Sequence, residues 1–344
     1  MATADVRLTE LVACGGCAAK YSASLLQELV SRLPVEADPN LLVGLAPADD
    51  AAVYRLDDER ALVFTVDFFP PIVDDPADFG AIAATNALND VFAMGATPLL
   101  ALSVAAFPES LPGDAAAAVL TGAAAKVREA GAVLAGGHTL RADEPLFGLA
   151  VAGTVAPDRI WTAAGARPGD QLYLTKPLGT GILVHGRKEG RVDDATLAIA
   201  VRQMTTLNAE AADLLRPLEP HAVTDVTGFG LLGHAYELAT RSGVRVELDA
   251  RELPIIPAAI SLAGLGVVTG GDRRNREYVG DALTVDGAAD IHLALAFDPQ
   301  TAGGLLVALP LERAVAFEQA CVEREILPNR IGSVAEGEGV RLFA

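Results

Sequence analysis

The sequence is short of cysteine, of basic residues and of long apolar runs, and each shortage excludes a class of protein. Three cysteines among 344 residues cannot form a disulfide framework, which favours a reducing compartment, the cytoplasm. Lysine and arginine total 26 against 45 acidic residues, and the net charge of −19 argues against nucleic acid as a partner. No apolar run approaches the length of a membrane span, and the first ten residues contain no apolar signal core. The composition therefore predicts a cytoplasmic globular protein that binds neither nucleic acid nor a membrane.

The length of the chain is enough for two domains of ordinary size. Prolines and glycines cluster between Ala156 and Asp170, and we place the domain boundary there, giving domains over residues 1–156 and 157–344. The hydrophobic pattern also predicts helical segments over Ala195–Leu215 and a loop over Gly270–Asn275. Composition and periodicity alone favour a two-domain α/β or α+β protein.

The stretch from Leu62 to Pro98 carries the strongest local pattern. Leu62–Val66 is apolar and β-branched, which predicts a buried strand, and Asp67 follows at the point where that strand is expected to end. An alanine-rich helix is predicted next, and on it Asn86 and Asp90 are four residues apart and share one face. A polar face of this kind is often exposed to solvent. A carboxylate at the end of an apolar strand points more often into a cleft, which makes Asp67 the stronger candidate.

A glycine-rich segment near the N-terminus contains two of the three cysteines, Cys14 and Cys17, and is followed by Lys20. A nearby ammonium group favours the thiolate form of a cysteine, so Lys20 is placed to activate Cys17. The Cys-x-x-Cys spacing is also that of a redox pair or of half a zinc site, but no second pair of ligands follows at zinc spacing. A tail with incidental cysteines is the remaining alternative.

Three further polar motifs stand beside predicted strands. Asp49 and Asp50 precede one strand, and Asp225 ends another, so these carboxylates are either turn residues or metal ligands. A Gly-Gly-His motif ending at His138 is either a turn or a backbone cradle for phosphate. The glycine-rich phosphate motifs of P-loop and dinucleotide-binding proteins are absent. A nucleotide would therefore be bound by another architecture, with a divalent metal between carboxylate and phosphate.

Taken together and in this order, the motifs resemble those of the selenophosphate synthetase (selenide, water dikinase) family, and the resemblance runs almost end to end. It rests on the loop with Cys17 and Lys20 and on long strings elsewhere in the chain. Those strings are Asp49–Tyr54, Thr65–Phe69, Pro71–Asp74, Ala84–Gly95, Gly136–His138, Phe147–Val151, Thr224–His234 and Asp298–Gly304. The wider superfamily includes aminoimidazole-ribotide synthetase, thiamine-monophosphate kinase and a hydrogenase-maturation dehydratase, which lack the Cys17/Lys20 loop.

The resemblance implies an α+β fold of two domains. The N-terminal domain would contain a ferredoxin-like sheet that pairs with its twin in a homodimer to form a barrel. The C-terminal domain would layer helices on a second sheet. A mobile glycine-rich loop, over about residues 10–24, would cover the ATP.

The resemblance also implies an activity: ATP, selenide and water would give selenophosphate, AMP and inorganic phosphate. Cys17 and Lys20 would be the catalytic pair. Mg²⁺ would be held by three carboxylates, those of Asp50, Asp90 and Asp225. The nucleotide would be contacted by residues from several segments, namely Lys20, Pro47, Ala48, Asp49, Asp67, Asp90, Gly137, His138 and Thr139. The resemblance leaves open a K⁺ requirement and a selenide-delivering lyase as partner.

One position departs from the family pattern, and two other functions compete with the leading one. Many members have a second cysteine directly before the lysine, where this chain has Ala19, so Cys17 has no thiol partner there. A different ATP-dependent enzyme of the superfamily would act on a phosphorylated metabolite, and its turnover would not need selenide. A non-enzymatic selenium carrier would have no use for the dispersed aspartates.

Overall fold

The computed structural model describes residues 7–12, 28–33, 38–45, 48–324 and 326–344. The described chain contains two β-sheets, and carboxylates from the elements of both lie near one another. The predicted α+β class is confirmed. The first sheet ends at Val155 and the second begins at Gln171, while the proposed boundary near residue 157 stays a prediction. None of the helices in the described ranges is long and apolar enough to cross a lipid bilayer.

The first sheet has six strands in the spatial order β1-β2-β3-β6-β4-β5. All neighbours are antiparallel except β4 and β5, which are parallel. The strands are β1 (Leu41–Val43), β2 (Ala52–Arg55), β3 (Ala61–Phe69), β4 (Thr97–Phe107), β5 (Val133–Arg141) and β6 (Leu146–Val155).

Two helices, α1 (Pro76–Ala93) and α2 (Gly113–Glu129), cover the inner face of this sheet. Helix α1 begins where the Asp75 side chain caps it, accepting a hydrogen bond from the Asp78 N–H at 2.9 Å. The two helices pack closely because of a glycine in α1. A Cβ on Gly80 would lie 1.9 Å from the carbonyl oxygen of Val119 in α2. The polar face of α1, with Asn86 and Asp90, lies against β3.

Strand β3 shows which side chains point toward the helices and which point to the outer face of the sheet. The strand continues to Phe69, so the prediction that it ends before Asp67 was wrong. Nine paired residues on β6 hold this longer strand in register. Thr65 and Asp67 point inward, and Phe64, Val66 and Phe68 alternate with them on the outer face. Aspartate is therefore presented from inside a strand, toward helix α1.

The second sheet has seven strands in the order β10-β13-β9-β12-β7-β11-β8. Helices pack on both faces, so its strand β11 is buried at every residue. The strands are β7 (Gln171–Leu174), β8 (Ala222–Asp225), β9 (Arg245–Asp249), β10 (Leu283–Asp286), β11 (Leu305–Leu309), β12 (Arg330–Ala335) and β13 (Gly339–Phe343). The helices are α3 (Thr180–Lys188), α4 (Asp194–Thr205), α5 (Ala209–Leu215), α6 (Gly230–Ser242), α7 (Pro257–Gly264), α8 (Gly270–Val279), α9 (Asp290–Phe297) and α10 (Leu311–Glu323).

Two further local predictions were wrong, and tertiary contacts explain the differences. The Gly-Gly-His motif is not a turn but part of strand β5, paired with β4. The helical segments predicted over Ala195–Leu215 are present as α4 and α5, and Asn208 between them donates its backbone N–H to Asn89 of α1 at 2.9 Å. The predicted loop at Gly270 is helix α8, in which Asn275 is buried and donates to two carbonyl groups.

Candidate active site

Carboxylates from both sheets meet at the boundary between them. Asp50 precedes β2, Asp90 lies on α1, and Asp225 ends β8 in the second sheet. The hydroxyl of Thr65 donates to Asp90 Oδ2 at 2.6 Å, and the hydroxyl of Thr224 donates to Asp50 Oδ1 at 3.2 Å. The structure thus brings together the three aspartates predicted as metal ligands, with a threonine hydroxyl on two of them. Sequence analysis gave neither threonine a role.

The electrostatic state of Asp50 shows how strongly negative this cluster is. Burial raises the pKa of Asp50 well above its ordinary range, and the nearby charges of Asp225, Asp49 and Asp90 raise it further. The residue keeps some exposure, but its Oδ2 atom is buried and has no hydrogen-bond partner among the described residues. A buried carboxylate oxygen without a donor is costly unless a cation binds it.

Asp49 is held by three donors, one of them a cation. Its Oδ2 accepts from Arg241 at 3.0 Å and from the Ala163 N–H at 3.1 Å, and its Oδ1 accepts from the Asp50 N–H at 3.0 Å. Burial raises the pKa of Asp49, and Arg241 offsets part of that effect. These contacts fix the turn that presents Asp50. Nothing in the sequence pattern indicated Arg241, because it lies on a helix 192 residues further along the chain.

Arg241 belongs to a chain of polar contacts along helix α6. It lies 3.7 Å from Glu237, and Glu237 lies 3.2 Å from Nδ1 of His234. Nε2 of His234 then accepts the backbone N–H of Thr227 at 3.1 Å, two residues after Asp225. Burial raises the pKa of Glu237, but His234 and Arg241 outweigh it and the pKa is lowered. The chain of contacts therefore connects the Asp49 turn to the loop that follows Asp225.

Breaking the contact between Arg241 and Asp49 should destabilise the fold. In Arg241→Met the buried Asp49 carboxylate would face Asp50 without a counter-charge, at a cost of roughly 3 kcal/mol in the free energy of unfolding. Urea denaturation measures this loss. Arg251→Met is the matched control, because its partner Asp249 is bound at an exposed position and the loss there should be below about 1 kcal/mol. Equal losses in the two variants would contradict the buried-pair interpretation.

Asp67 lies on the inner face of β3 and is bound by helix α1. Asn86 Nδ2 donates to Asp67 Oδ2 at 2.5 Å. The helical spacing of Asn86 and Asp90 was visible in the sequence, but the contact between Asn86 and Asp67 was not.

The remaining predicted residues lie in two other places. Gly137, His138 and Thr139 are exposed on edge strand β5, which two strands separate from β3, a distance of about 14 Å. Gly137 is required for packing, since a Cβ there would lie 2.1 Å from Ser103 Oγ. Ala48 is exposed beside Asp49. Three predicted residues, Cys17, Lys20 and Pro47, lie outside the described residues.

The acidic cluster fits a magnesium ion that substrate phosphates help to bind. In the described ranges, no three histidine, cysteine, aspartate or glutamate side chains already converge as a metal-binding group. Mg²⁺ does not need such a cage, because it is usually held by one or two carboxylates together with water and substrate phosphate. The donors here are hard carboxylate oxygens, and the buried Oδ2 of Asp50 lacks a partner among the described residues. The residues present therefore fit Mg²⁺.

Comparison with known proteins places this chain in a defined class. The chain matches the AIR synthase related proteins, through their N-terminal domain over residues 48–155 and their C-terminal domain over residues 167–344. A solved thiamine-monophosphate kinase from Stenotrophomonas maltophilia is similar in fold, with a TM-score of 0.68 over 94% of this chain and 96% of that one, at 22% identity.

Two curated relatives narrow the class. The selenide, water dikinase of Carboxydothermus hydrogenoformans is 45% identical over 97% of this chain and 97% of its own. That of Caldanaerobacter subterraneus subsp. tengcongensis is 46% identical over 90% of each chain. The chain belongs to the selenide, water dikinase family, and the family predicted from its motifs is confirmed.

Proposed function

We propose that this protein makes selenophosphate from ATP, selenide and water, releasing AMP and inorganic phosphate. The observation that carries the proposal is the 45% identity along almost the whole chain to a selenide, water dikinase. The acidic cluster at the boundary of the two sheets supports it, because phosphoryl transfer from ATP depends chiefly on positioning and on neutralising charge. The three cysteines favour a cytoplasmic location.

In this proposal the carboxylates of Asp50, Asp90 and Asp225 hold Mg²⁺. Bound there, Mg²⁺ would neutralise charge on the triphosphate and on the transferring phosphoryl group. The protein's own residues set the geometry: Thr224 orients the Asp50 carboxylate, and Thr65 orients that of Asp90. Both threonines lie on strands, so the carboxylates they bind are held by rigid elements.

The nucleotide and selenium contacts come from several segments. Asp67 contacts ATP, together with Pro47, Ala48 and Asp49. Lys20 binds phosphate as a point charge. Cys17, as a thiolate, binds or protects the selenium, because a soft sulfur suits a soft and oxidisable substrate. A lyase that hands over selenide would keep this substrate from free solution.

Anaerobic phosphorus NMR with ATP, Mg²⁺ and selenide tests the proposal, beside a control without selenide. We expect a new phosphorus resonance split by selenium, with matching amounts of AMP and phosphate. Repeating the assay with K⁺ replaced by Na⁺ tests for a potassium requirement. Consumption of ATP to ADP without selenide would overturn the proposal and favour a kinase of the same superfamily. No ATP consumption at all would favour a selenium carrier.

We also propose that the outer face of the first sheet joins two copies of the chain. This face is apolar although it is exposed: Phe64, Val66 and Phe68 on β3 are 47–55% accessible, and Leu100 and Leu102 on β4 are 41% accessible. A contiguous exposed apolar patch usually marks an interface. Pairing with a second copy would also bring the partner's β5 edge, with its Gly-Gly-His motif, toward the acidic cluster and so supply nucleotide contacts that the strand order separates within one chain.

A charge on this face should break the dimer. We expect Val66→Asp to shift the protein from dimer to monomer in light scattering after size exclusion, because the carboxylate would be buried between two sheets. Thr65 and Asp67 point the other way, so the inner face should stay folded. Leu265→Asp is the control, an equally drastic change at an exposed position of the second domain that should leave the dimer intact. A dimeric Val66→Asp protein would contradict this interface.

A further inference from the structure

We propose that Asn86 is a positioning residue that couples Asp67 to the loop Asp298–Gly304 of the second sheet, and thereby sets the placement of Asp67 relative to Asp225. The inference rests on the proposed function, because it concerns the same site. It assigns a task to Asn86 and to this loop, neither of which binds the metal in the proposal above.

The side-chain amide of Asn86 bridges the two halves of the protein. Its Nδ2 donates to Asp67 Oδ2 at 2.5 Å, and its Oδ1 accepts the backbone N–H of Ala302 at 2.8 Å. The amide orientation is fixed by its partners, because a backbone N–H can only donate and an ionised carboxylate can only accept. Asn86 is fully buried, so water cannot replace either partner without a rearrangement.

The Ala302 peptide is itself held in an unusual conformation. Ala302 has a φ of +50°, one of two positive φ values at non-glycine residues in the described ranges. Its carbonyl accepts from Lys176 Nζ at 2.7 Å, and the same ammonium group donates to the Thr206 carbonyl at 2.5 Å. Asn86 therefore binds the N–H of a residue whose carbonyl is clamped by a buried lysine. A strained backbone held from both sides is typical of a functional position.

The rest of the loop is tied to the segment that follows Asp225. The Gln300 N–H donates to the Thr227 carbonyl at 2.9 Å, and the Val226 N–H donates to the Gly304 carbonyl at 2.8 Å. The Gln300 side chain also accepts from the N–H groups of Gly179 and Thr180 at 3.1 and 3.2 Å, at the start of α3. One loop thus contacts both the Asp225 segment and, through Asn86, the Asp67 side chain.

Helix α1 offers a matched control for Asn86. Asn89 is one turn further along the same helix, is equally buried, and accepts the backbone N–H of Asn208 at 2.9 Å. It makes the same kind of bridge between the two halves. Its described hydrogen bonds include none to a carboxylate, because its Nδ2 has no partner among the described residues. Substituting Asn89 therefore removes a bridge without releasing Asp67.

The experiment compares Asn86→Ala, Asn86→Asp and Asn89→Ala in the full chain. Three quantities are measured: kcat and KM for selenide-dependent AMP formation, and the Mg·ATP concentration at which thermal stabilisation is half complete. We expect Asn86→Ala and Asn89→Ala to lower Tm by similar amounts. Of these two alanine variants, we expect only Asn86→Ala to lower kcat/KM, by about 10- to 100-fold, the usual effect of losing a group that orients a ligand side chain.

Asn86→Asp separates positioning from a merely structural bridge. In its ionised form the new carboxylate can still accept the Ala302 N–H, but it cannot donate to Asp67 and repels it instead. The proposal predicts that this variant loses as much kcat/KM as Asn86→Ala. If Asn86 were only a structural bridge, Asn86→Asp would keep more activity than Asn86→Ala, because it still accepts the Ala302 N–H. That result would overturn the inference. Equal losses of kcat/KM in Asn86→Ala and Asn89→Ala would overturn it as well.

The failure of this inference differs from the failure of the proposed function. If the wild-type protein forms no selenophosphate, the proposed function is wrong. The variants are then compared by their Mg·ATP midpoint, the Mg·ATP concentration at which thermal stabilisation is half complete. A midpoint raised about 10-fold or more in both Asn86 variants, and unchanged in Asn89→Ala, then still supports the inference. A wild-type protein that is not stabilised by Mg·ATP at all would overturn both.

Discussion

Replacing Asp50 by asparagine should lower selenide-dependent AMP formation by at least about 100-fold, because a carboxylate ligand of a catalytic metal is lost. The substitution keeps the shape of the side chain. The amide oxygen of asparagine can still accept the Thr224 hydroxyl, which donates to Asp50 Oδ1 at 3.2 Å in the wild type. The initial rate of AMP formation at saturating ATP measures the loss.

The same variant should raise the thermal stability of the protein in the absence of Mg²⁺. Because the pKa of Asp50 is raised in the folded state, the native protein binds more protons than the unfolded chain at pH values above the ordinary value of 3.8. The free energy of unfolding therefore falls as the pH rises through that window. Asparagine does not titrate, so Asp50→Asn should lose this pH dependence and melt at a higher temperature than the wild type at neutral pH.

Magnesium should reverse the order of stability of the wild type and Asp50→Asn. The ion favours the ionised form of Asp50, so adding Mg²⁺ with ATP should stabilise the wild type at neutral pH and have a much smaller effect on Asp50→Asn. Asp57→Asn is the control, because Asp57 is exposed and its contacts are with Arg60 on the surface. The assignment of Asp50 as a ligand would be contradicted if Asp50→Asn were inactive, less stable than the wild type without Mg²⁺, and still stabilised by Mg·ATP.

The members of the acidic cluster were only partly predictable from the sequence. Short apolar runs followed by aspartate located Asp225 correctly, and helical spacing placed Asn86 beside Asp90 on α1. The pattern failed at Asp67, because a strand whose two faces are both mostly apolar gives no local signal of where it ends. Strand β3 continues because nine residues of β6 pair with it, and β6 lies about 80 residues further along the chain.

The contacts that hold the cluster were not predictable from spacing. Arg241 neutralises Asp49, and Thr224 binds Asp50, across sequence separations of 192 and 174 residues. Such pairs are set by how the two sheets meet, and no periodicity within one segment reports on that. The Gly-Gly-His motif shows the converse error. A glycine pair favours a turn locally, yet here Gly137 lies in a strand because only glycine fits against Ser103 of the neighbouring strand.

Cys17→Ser should abolish selenide-dependent AMP formation, with a loss of about 100-fold or more, while leaving Mg·ATP binding unchanged. A serine hydroxyl is not ionised near neutral pH and is a hard oxygen, so it can neither supply a thiolate nor bind selenium as sulfur does. Lys20 stays in place in this variant and still binds phosphate. The expected result is therefore a protein that is stabilised by Mg·ATP like the wild type but does not respond to selenide.

Cys14→Ser is the matched control for this prediction, since Cys14 lies in the same glycine-rich segment, three residues earlier. Because Ala19 stands where many relatives have a second cysteine, Cys17 is expected to act without a thiol partner, and Cys14→Ser should keep nearly full activity. An equal loss in both variants would instead indicate that the two cysteines act as a pair. Undiminished selenide-dependent AMP formation in Cys17→Ser would remove the catalytic assignment of Cys17 and leave the acidic cluster and Lys20 to account for the reaction.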